Sequence, residues 1–231
     1  MNFTLVMREV FPLLMKGMVI TVETTIAALI IAIILGLFTC LLGMSKFFVP
    51  RTIARGYIWI IRGTPLLVQV FFVYFGVPQF VQYMGFDFRL SPLAAGIITL
   101  SINAGAYIAE IFRGGIEAID HGQMEAARSL GLSHYRAMFR IILPQAVRIS
   151  IPSLVNQFII SLKDTSIISI ISLAEIVYQA KIYIGRTMQS FATWTIVGVV
   201  YLIIITVLSR ISIHVEKKLD YGQKSRRHGS V

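Results

Sequence analysis

Long apolar runs alternate with short polar islands along this chain. Five runs, at 18–44, 57–77, 93–112, 151–171 and 194–213, are long enough to cross a bilayer, which takes about twenty helical residues. The pattern predicts an all-α, polytopic membrane protein with five transmembrane helices. An odd number of crossings puts the two termini on opposite sides.

The islands divide the rest. Phe3, Val6, Val10, Leu13 and Leu14 recur at near-helical spacing, so residues 1–16 are expected to lie along the outer interface as an amphipathic segment. Residues 17–214 form the membrane domain. The 172–193 loop is moderately polar, helix-like over 174–183, and expected outside, within reach of an extracellular partner. A basic tail, 215–231, ends in glycine and serine and is expected to fray. The first apolar run is too long for a signal-peptide core, and no small-x-small cleavage site follows it.

Composition agrees with a bilayer. Hydrophobic residues make up 56% of the 231-residue chain and charged residues 14%, against about a quarter charged in soluble domains. That length suits one membrane domain and leaves no room for a nucleotide-binding domain. The lone cysteine, Cys40, lies in an apolar run, which excludes a disulfide framework and a thiolate metal site. The net charge of +10 is distributed as topology rather than as a nucleic-acid surface. Lys46, Arg51, Arg55 and Arg62 flank one loop, Arg113, Arg128, Arg136, Arg140 and Arg148 another, and Arg210, Lys217, Lys218, Lys224, Arg226 and Arg227 the tail. The alternate loops hold only Arg8, Lys16, Arg89, Lys181 and Arg186. By the positive-inside rule the N-terminus is expected outside and the C-terminus inside.

Polar groups inside apolar runs are costly and so informative. Asn103, Tyr107 and Glu110 fall on one helical face of the third run. In the fourth, Asn156 and Lys163 are a heptad apart, as are Gln157 and Asp164. Adjacent Lys163 and Asp164 point about 100° apart and cannot fully pair with each other. Asn103, Tyr107, Asn156, Gln157, Lys163 and Asp164 are the candidates for a substrate pathway; interhelical hydrogen bonds are the alternative. Glu110 lies an i,i+3 step from Arg113 and is expected to pair with it. Arg62-Gly63-Thr64-Pro65 opens the second run with two helix breakers. They mark either a hinge beside an inner gate or a helix start with Pro65 in its first turn.

Glu125-Ala126-Ala127, then Gly131, then Ile141, Leu143 and Pro144 stand in a basic island between the third and fourth runs. A helix is expected to begin at the Glu-Ala-Ala, turn at Gly131, and be followed by a second helix that Pro144 stops. This spacing resembles the coupling loop, here about 117–145, of ATP-binding-cassette importer permeases. Three further stretches, IRGTPLLVQVFFVYFG (61–76), INAGAYIAEIFRGGI (102–116) and SLKDTSIISIISLAEI (161–176), resemble the branch importing polar amino acids such as histidine, glutamine, arginine and cystine. The resemblance runs from about residue 17 to 213. It implies a type I importer permease core of five helices in a bacterial cell membrane, paired with a second copy or a sister permease. It also implies ATPase subunits docked on the loop through Glu125, Ala126, Ala127, Gly131, Leu143 and Pro144, and an extracytoplasmic amino-acid-binding protein. Asp164 and Lys163 suit the two charges of a zwitterion, although the KDTS stretch looks shared across the branch and is equally open to a structural role.

Other classes fit less well. The histidines, His121, His134, His214 and His228, lack ligand spacing. No phosphate-binding loop of the G-x-x-x-x-G-K-[ST] type occurs, so the chain itself is expected to carry no cofactor and to catalyse nothing, with ATP and Mg held by the partner ATPase. A stand-alone channel or secondary carrier for a small polar solute is the alternative, and it leaves the 117–145 loop without a purpose.

Overall fold

The computed structural model describes residues 3–228, with side chains as far as His214. The tail's Lys217, Lys218, Lys224, Arg226 and Arg227, and the expected fraying of its end, lie outside the described side chains. The regular structure of the described residues is all helical, without a strand, and five segments are long and apolar enough to span a membrane.

Helix α1 runs unbroken over Phe3–Gly43, 41 residues, or about 60 Å, twice the hydrocarbon thickness of a bilayer. Residues 3–16 thus continue the same helix as the first apolar run. Val6, Val10 and Leu14 bury against Ile176, Ala180, Ala192, Ile196 and Val200, and Tyr183 donates to the Glu9 carboxylate at 2.8 Å. The periodic apolar face meets protein where the interface was expected. Further along, Thr21 and Thr25 are fully buried yet satisfied, each hydroxyl donating to the carbonyl one turn back (Gly17 and Thr21, 3.0 and 2.7 Å).

The second apolar run is two helices, not one. α2 (Phe48–Gly63) ends at Thr64 and Pro65, both extended, and α3 (Leu66–Phe71) starts after Pro65 as its N-cap. Proline forces its predecessor out of the helical region, so the break falls within the Arg62–Pro65 stretch where the two helix breakers offered a hinge or a helix start. A π turn at Phe72–Gly76 then leads into α4 (Val77–Tyr83), whose first turn holds Pro78. The spanning segment is Leu66–Tyr83, in place of the expected 57–77.

α5 (Pro92–Glu117) is capped by Ser91, whose hydroxyl accepts from Ala94 N at 3.2 Å. Small residues bring it onto α1: a Cβ on Gly36 would stand 2.7 Å from Ile108 and 2.9 Å from the Gly105 carbonyl, the close approach that membrane helices use. After α6 (His121–Ser129) and α7 (His134–Ala137), a π turn at Met138–Ile142 runs straight into α8 (Leu143–Ile168). Pro144 therefore does not stop a helix. It sits in the first turn of α8, after a π turn that has already shifted the hydrogen-bond register, and His134–Ile171 is one continuous helical stretch of 38 residues, long and apolar enough to contain a span. α9 (Ile176–Thr187) follows left-handed Ser172, and α10 (Ser190–His228) follows left-handed Met188. α5 is the central helix, with α1 on one side and α8 on the other.

Candidate functional site

The loop between α5 and α8 is a hook with one face attached and one face free. α6 ends in a Schellman motif: Leu132 N donates to Ala127 O (3.1 Å) and Gly131 N to Arg128 O (3.0 Å). Gly131 takes φ +83° there, and a Cβ on it would meet open space, so backbone conformation and not crowding calls for glycine. On the attached face, Ala127 and Ile119 are buried, and Met124, Met138, Ile141 and Leu143 pack against the buried cluster that includes Phe112, Ile116 and Ala146. Gln145 also donates to Gln123 at 2.6 Å, tying α8 to α6. On the free face, Glu125, Ala126 and Pro144 are exposed, along with large apolar Leu130, Tyr135 and Phe139. Of the loop residues singled out in the sequence, Ala127 and Leu143 thus face inward, Glu125, Ala126 and Pro144 face outward, and Gly131 makes the turn.

A cavity of about 650 Å³ opens between α2, α5, α8 and α10. Arg62, Tyr107, Glu110, Ser153, Asn156 and Gln157 line it. The Arg62 guanidinium stacks on the Tyr107 ring, 5.3 Å from its centroid, and reaches Glu110 at 3.5 Å. Arg113 holds the same carboxylate more tightly, at 2.8 and 3.2 Å, and bonds Glu117 as well. The expected Glu110–Arg113 pair is present, with Arg62 added from the neighbouring helix.

The remaining candidates divide. Asn103 is buried outside the cavity and donates to Gln69 Oε1 at 3.0 Å. Gln69 in turn donates to Ile61 O, Thr64 O and Thr64 Oγ1 at 2.8–3.1 Å. These bonds clamp the 62–65 break to α5; Gly63, Thr64 and Pro65 themselves are exposed. Gln157 lines the cavity and makes one long bond, to Ser161 at 3.4 Å. Lys163, exposed, and Asp164, half-buried, form no ion pair among the described residues. They lie a heptad along the same faces as Asn156 and Gln157, about 10 Å beyond the cavity.

Two participants escaped the sequence reading. Gln69 is a polar residue in an apolar run, the same signal that marked Asn103. Glu175 stands just before α9 and is fully buried. Its carboxylate caps the helix through Tyr178 N at 2.7 Å and accepts from the Tyr201 hydroxyl at 3.3 Å. Burial lifts its carboxyl to about 7, against the pull of the Val177 and Tyr178 amides, Tyr201 and Lys181.

This arrangement of spans and hook is shared. Residues 28–221 match the family model of the binding-protein-dependent transport system inner membrane component. The chain belongs to that family. It is 40% identical over 211 residues to the glutamine transport system permease protein GlnP of Escherichia coli (strain K12), covering 90% of this chain and 93% of that one. It is 38% identical over 217 residues to the L-cystine transport system permease protein TcyB of Bacillus subtilis (strain 168), covering 94% and 90%. A solved amino acid ABC transporter with histidines superposes with a TM-score of 0.87 at 38% identity, covering 94% of this chain and 99% of its own. The permease is thus a multi-pass cell-membrane transport subunit with the five-span, all-α fold of ABC importers, as the sequence patterns indicated. Family membership and these relatives do not favour the stand-alone channel or carrier.

Proposed function

We propose that this chain carries a polar amino acid through the membrane by alternating access, driven by a separate ATPase docked on the hook. The chain is the permease component of an amino-acid ABC importer. The observation that carries the coupling reading is the hook's two-sidedness. Its attached face is continuous with the core of α5 and α8, which wall the cavity, and its free face presents Glu125, Leu130, Tyr135 and Phe139 to a partner. A push on the free face must move α5 and α8, because close-packed interiors transmit displacement.

The pathway chemistry suits a zwitterion. Arg62 offers a planar fork for a carboxylate, Glu110 a carboxylate for an ammonium, and Asn156 and Gln157 neutral hydrogen bonds. The Arg62–Glu110 contact is a single long one on partly exposed groups, so substrate can replace it at little cost. About 650 Å³ is within the range of small-molecule sites. Lys163 and Asp164 extend the lining outward. Glutamine and cystine permeases among the relatives, and the solved transporter with histidines, support cargo of this class.

In the working cycle, ATP-driven closure of two ATPase subunits pushes the hooks of two permeases together, the second a copy or a sister chain. The helices tilt until the pathway faces outside, where an amino-acid-binding protein releases its load, and hydrolysis resets them. ATP and Mg belong to the ATPase, and this chain carries no catalytic group. The 117–145 hook and the C-terminus lie in the cytoplasm and the N-terminus outside.

Uptake by the assembled complex tests the site. Arg62→Gln is expected to raise the half-saturating amino-acid concentration about tenfold or more, the value of a charged hydrogen bond, with ATPase assembly kept. Asp164→Asn is expected to slow uptake with assembly kept. Unchanged half-saturation in Arg62→Gln would remove Arg62 from the site; loss of assembly in Asp164→Asn, rescued by removing the Lys163 charge, would make that pair structural.

A further inference from the structure

Arg62 reaches the transport cavity from the end of a thinly anchored helix. Among the described residues of α2, Ala54 alone is buried, with half-buried Ile58 packed on the core one turn further along. The Tyr57 hydroxyl adds a bond to the Ile102 carbonyl of α5 at 2.6 Å. All three anchors lie a turn or more before Arg62, and Gly63, Thr64 and Pro65 beyond it are exposed. The Arg62 side chain does little to hold the helix end. It makes one 3.5 Å contact with Glu110 and stacks on Tyr107 at 5.3 Å, and such contacts on partly exposed groups are weak.

The stronger hold comes from α3. Pro65 has no N–H, so the Ile61 carbonyl, one turn back, lacks the donor that a continuing helix would bring. Gln69 supplies it from its side chain: Nε2 donates to Ile61 O at 2.8 Å, to Thr64 Oγ1 at 2.9 Å and to Thr64 O at 3.1 Å. The Thr64 hydroxyl in turn donates to Ile60 O at 2.8 Å. The oxygen of the same Gln69 amide accepts from Asn103 Nδ2 at 3.0 Å. Gln69 and Asn103 are both buried, so water does not readily take over these bonds. Asn103 shares one face of α5 with Tyr107 and Glu110, the two groups that Arg62 meets. That face receives both the clamp and the guanidinium, and the carbonyl that Gln69 holds belongs to the residue directly before Arg62.

We propose that Gln69 is a positioning residue for the transport cavity. Its amide replaces the missing proline N–H, ties the end of α2 to Asn103, and so sets where the Arg62 guanidinium stands to receive the cargo carboxylate. Gln69 is not among the residues lining the cavity, so it acts through Arg62. The inference rests on the reading of Arg62 as the carboxylate site. It adds that loosening the clamp weakens cargo binding and leaves the maximal rate, because the hook is attached through α5 and α8 and not through α2.

The test is a double-mutant cycle on uptake by proteoliposomes holding the permease, its ATPase and its binding protein, with labelled glutamine, cystine and histidine as probes. Gln69→Leu is expected to raise the half-saturating concentration about fivefold, the worth of one hydrogen bond, with the maximal rate within about twofold of wild type. Added to Arg62→Gln, it is expected to raise half-saturation no further, because the residue it positions is gone. A purely structural role predicts the opposite: additive effects, or a lower maximal rate at unchanged half-saturation, and either result overturns the proposal. A shift in Arg62→Gln with none in Gln69→Leu overturns this inference alone; no shift in Arg62→Gln removes the carboxylate reading and this inference with it. Thr64→Val, at an exposed position, cuts two of the clamp's side-chain bonds and carries the same cycle, with a rise of about twofold, if Gln69→Leu does not assemble. Hydrogen exchange by mass spectrometry needs no cargo. Amides over 60–64 are expected to exchange about fivefold faster in either variant, and unchanged exchange there overturns the clamp.

Discussion

Gly131 carries the most consequence for its size. Its φ of +83° costs an L side chain about 1–2 kcal/mol, enough to undo a cap in an exposed loop although a Cβ meets no neighbour. Gly131→Leu is expected to leave the chain in the membrane and abolish uptake, read by transport assay and membrane fractionation. Normal substrate-stimulated ATPase activity in that variant would sever the loop from coupling. Glu175 makes a different prediction. Its carboxyl is lifted by burial from 4.5 to about 7, so the folded state binds this proton more tightly than the unfolded one. Its contribution to stability is complete below about 4.5 and is lost as pH rises through 7. Thermal unfolding of the solubilised protein should therefore fall in midpoint from pH 5 to 8, and Glu175→Gln should flatten that slope. An unchanged slope would contradict it.

At the scale of elements, the break between α2 and α3 is held by side chains as much as by proline. Gln69 bridges Asn103 to Thr64 and the Ile61 carbonyl. Gln69→Leu leaves the buried Asn103 amide without its partner, which costs about 1–3 kcal/mol; a lower unfolding midpoint with unaltered helix content by circular dichroism is the expected result. Much of the architecture was legible from apolar run lengths alone, because a bilayer demands spans of nearly fixed size. The errors came where that demand is silent. Gly63 and Pro65 announced the 64–65 break, whereas Arg8, Glu9 and Lys16 interrupt the apolar pattern and hid the continuity of the helix over 3–43. Pro144 was expected to end a helix, and the π turn before it was invisible to a 3.6-residue period. The cavity was half legible: Tyr107, Asn156 and Gln157 announced themselves as polar residues in apolar runs. Glu110 and Arg62 looked like a local ion pair and a helix breaker's neighbour until folding put α2 beside α5.

For the whole molecule, orientation and energy source are the properties to test. By the positive-inside rule the hook is expected inside and the α4–α5 loop outside. In a background with Cys40 replaced, Leu130→Cys is expected to react with an impermeant thiol reagent only in inverted vesicles and Asp87→Cys only in intact cells; the reverse pattern would overturn the docking role of the hook. The account as a whole holds that the chain moves an amino acid only when an ATPase drives its hook. Uptake of labelled polar amino acids into proteoliposomes, with the permease alone and with its ATPase and binding protein, tests that most directly. The account predicts accumulation against a gradient that requires ATP, the ATPase and the binding protein together. Gradient-driven flux through the permease alone, unaffected by ATP, would contradict it.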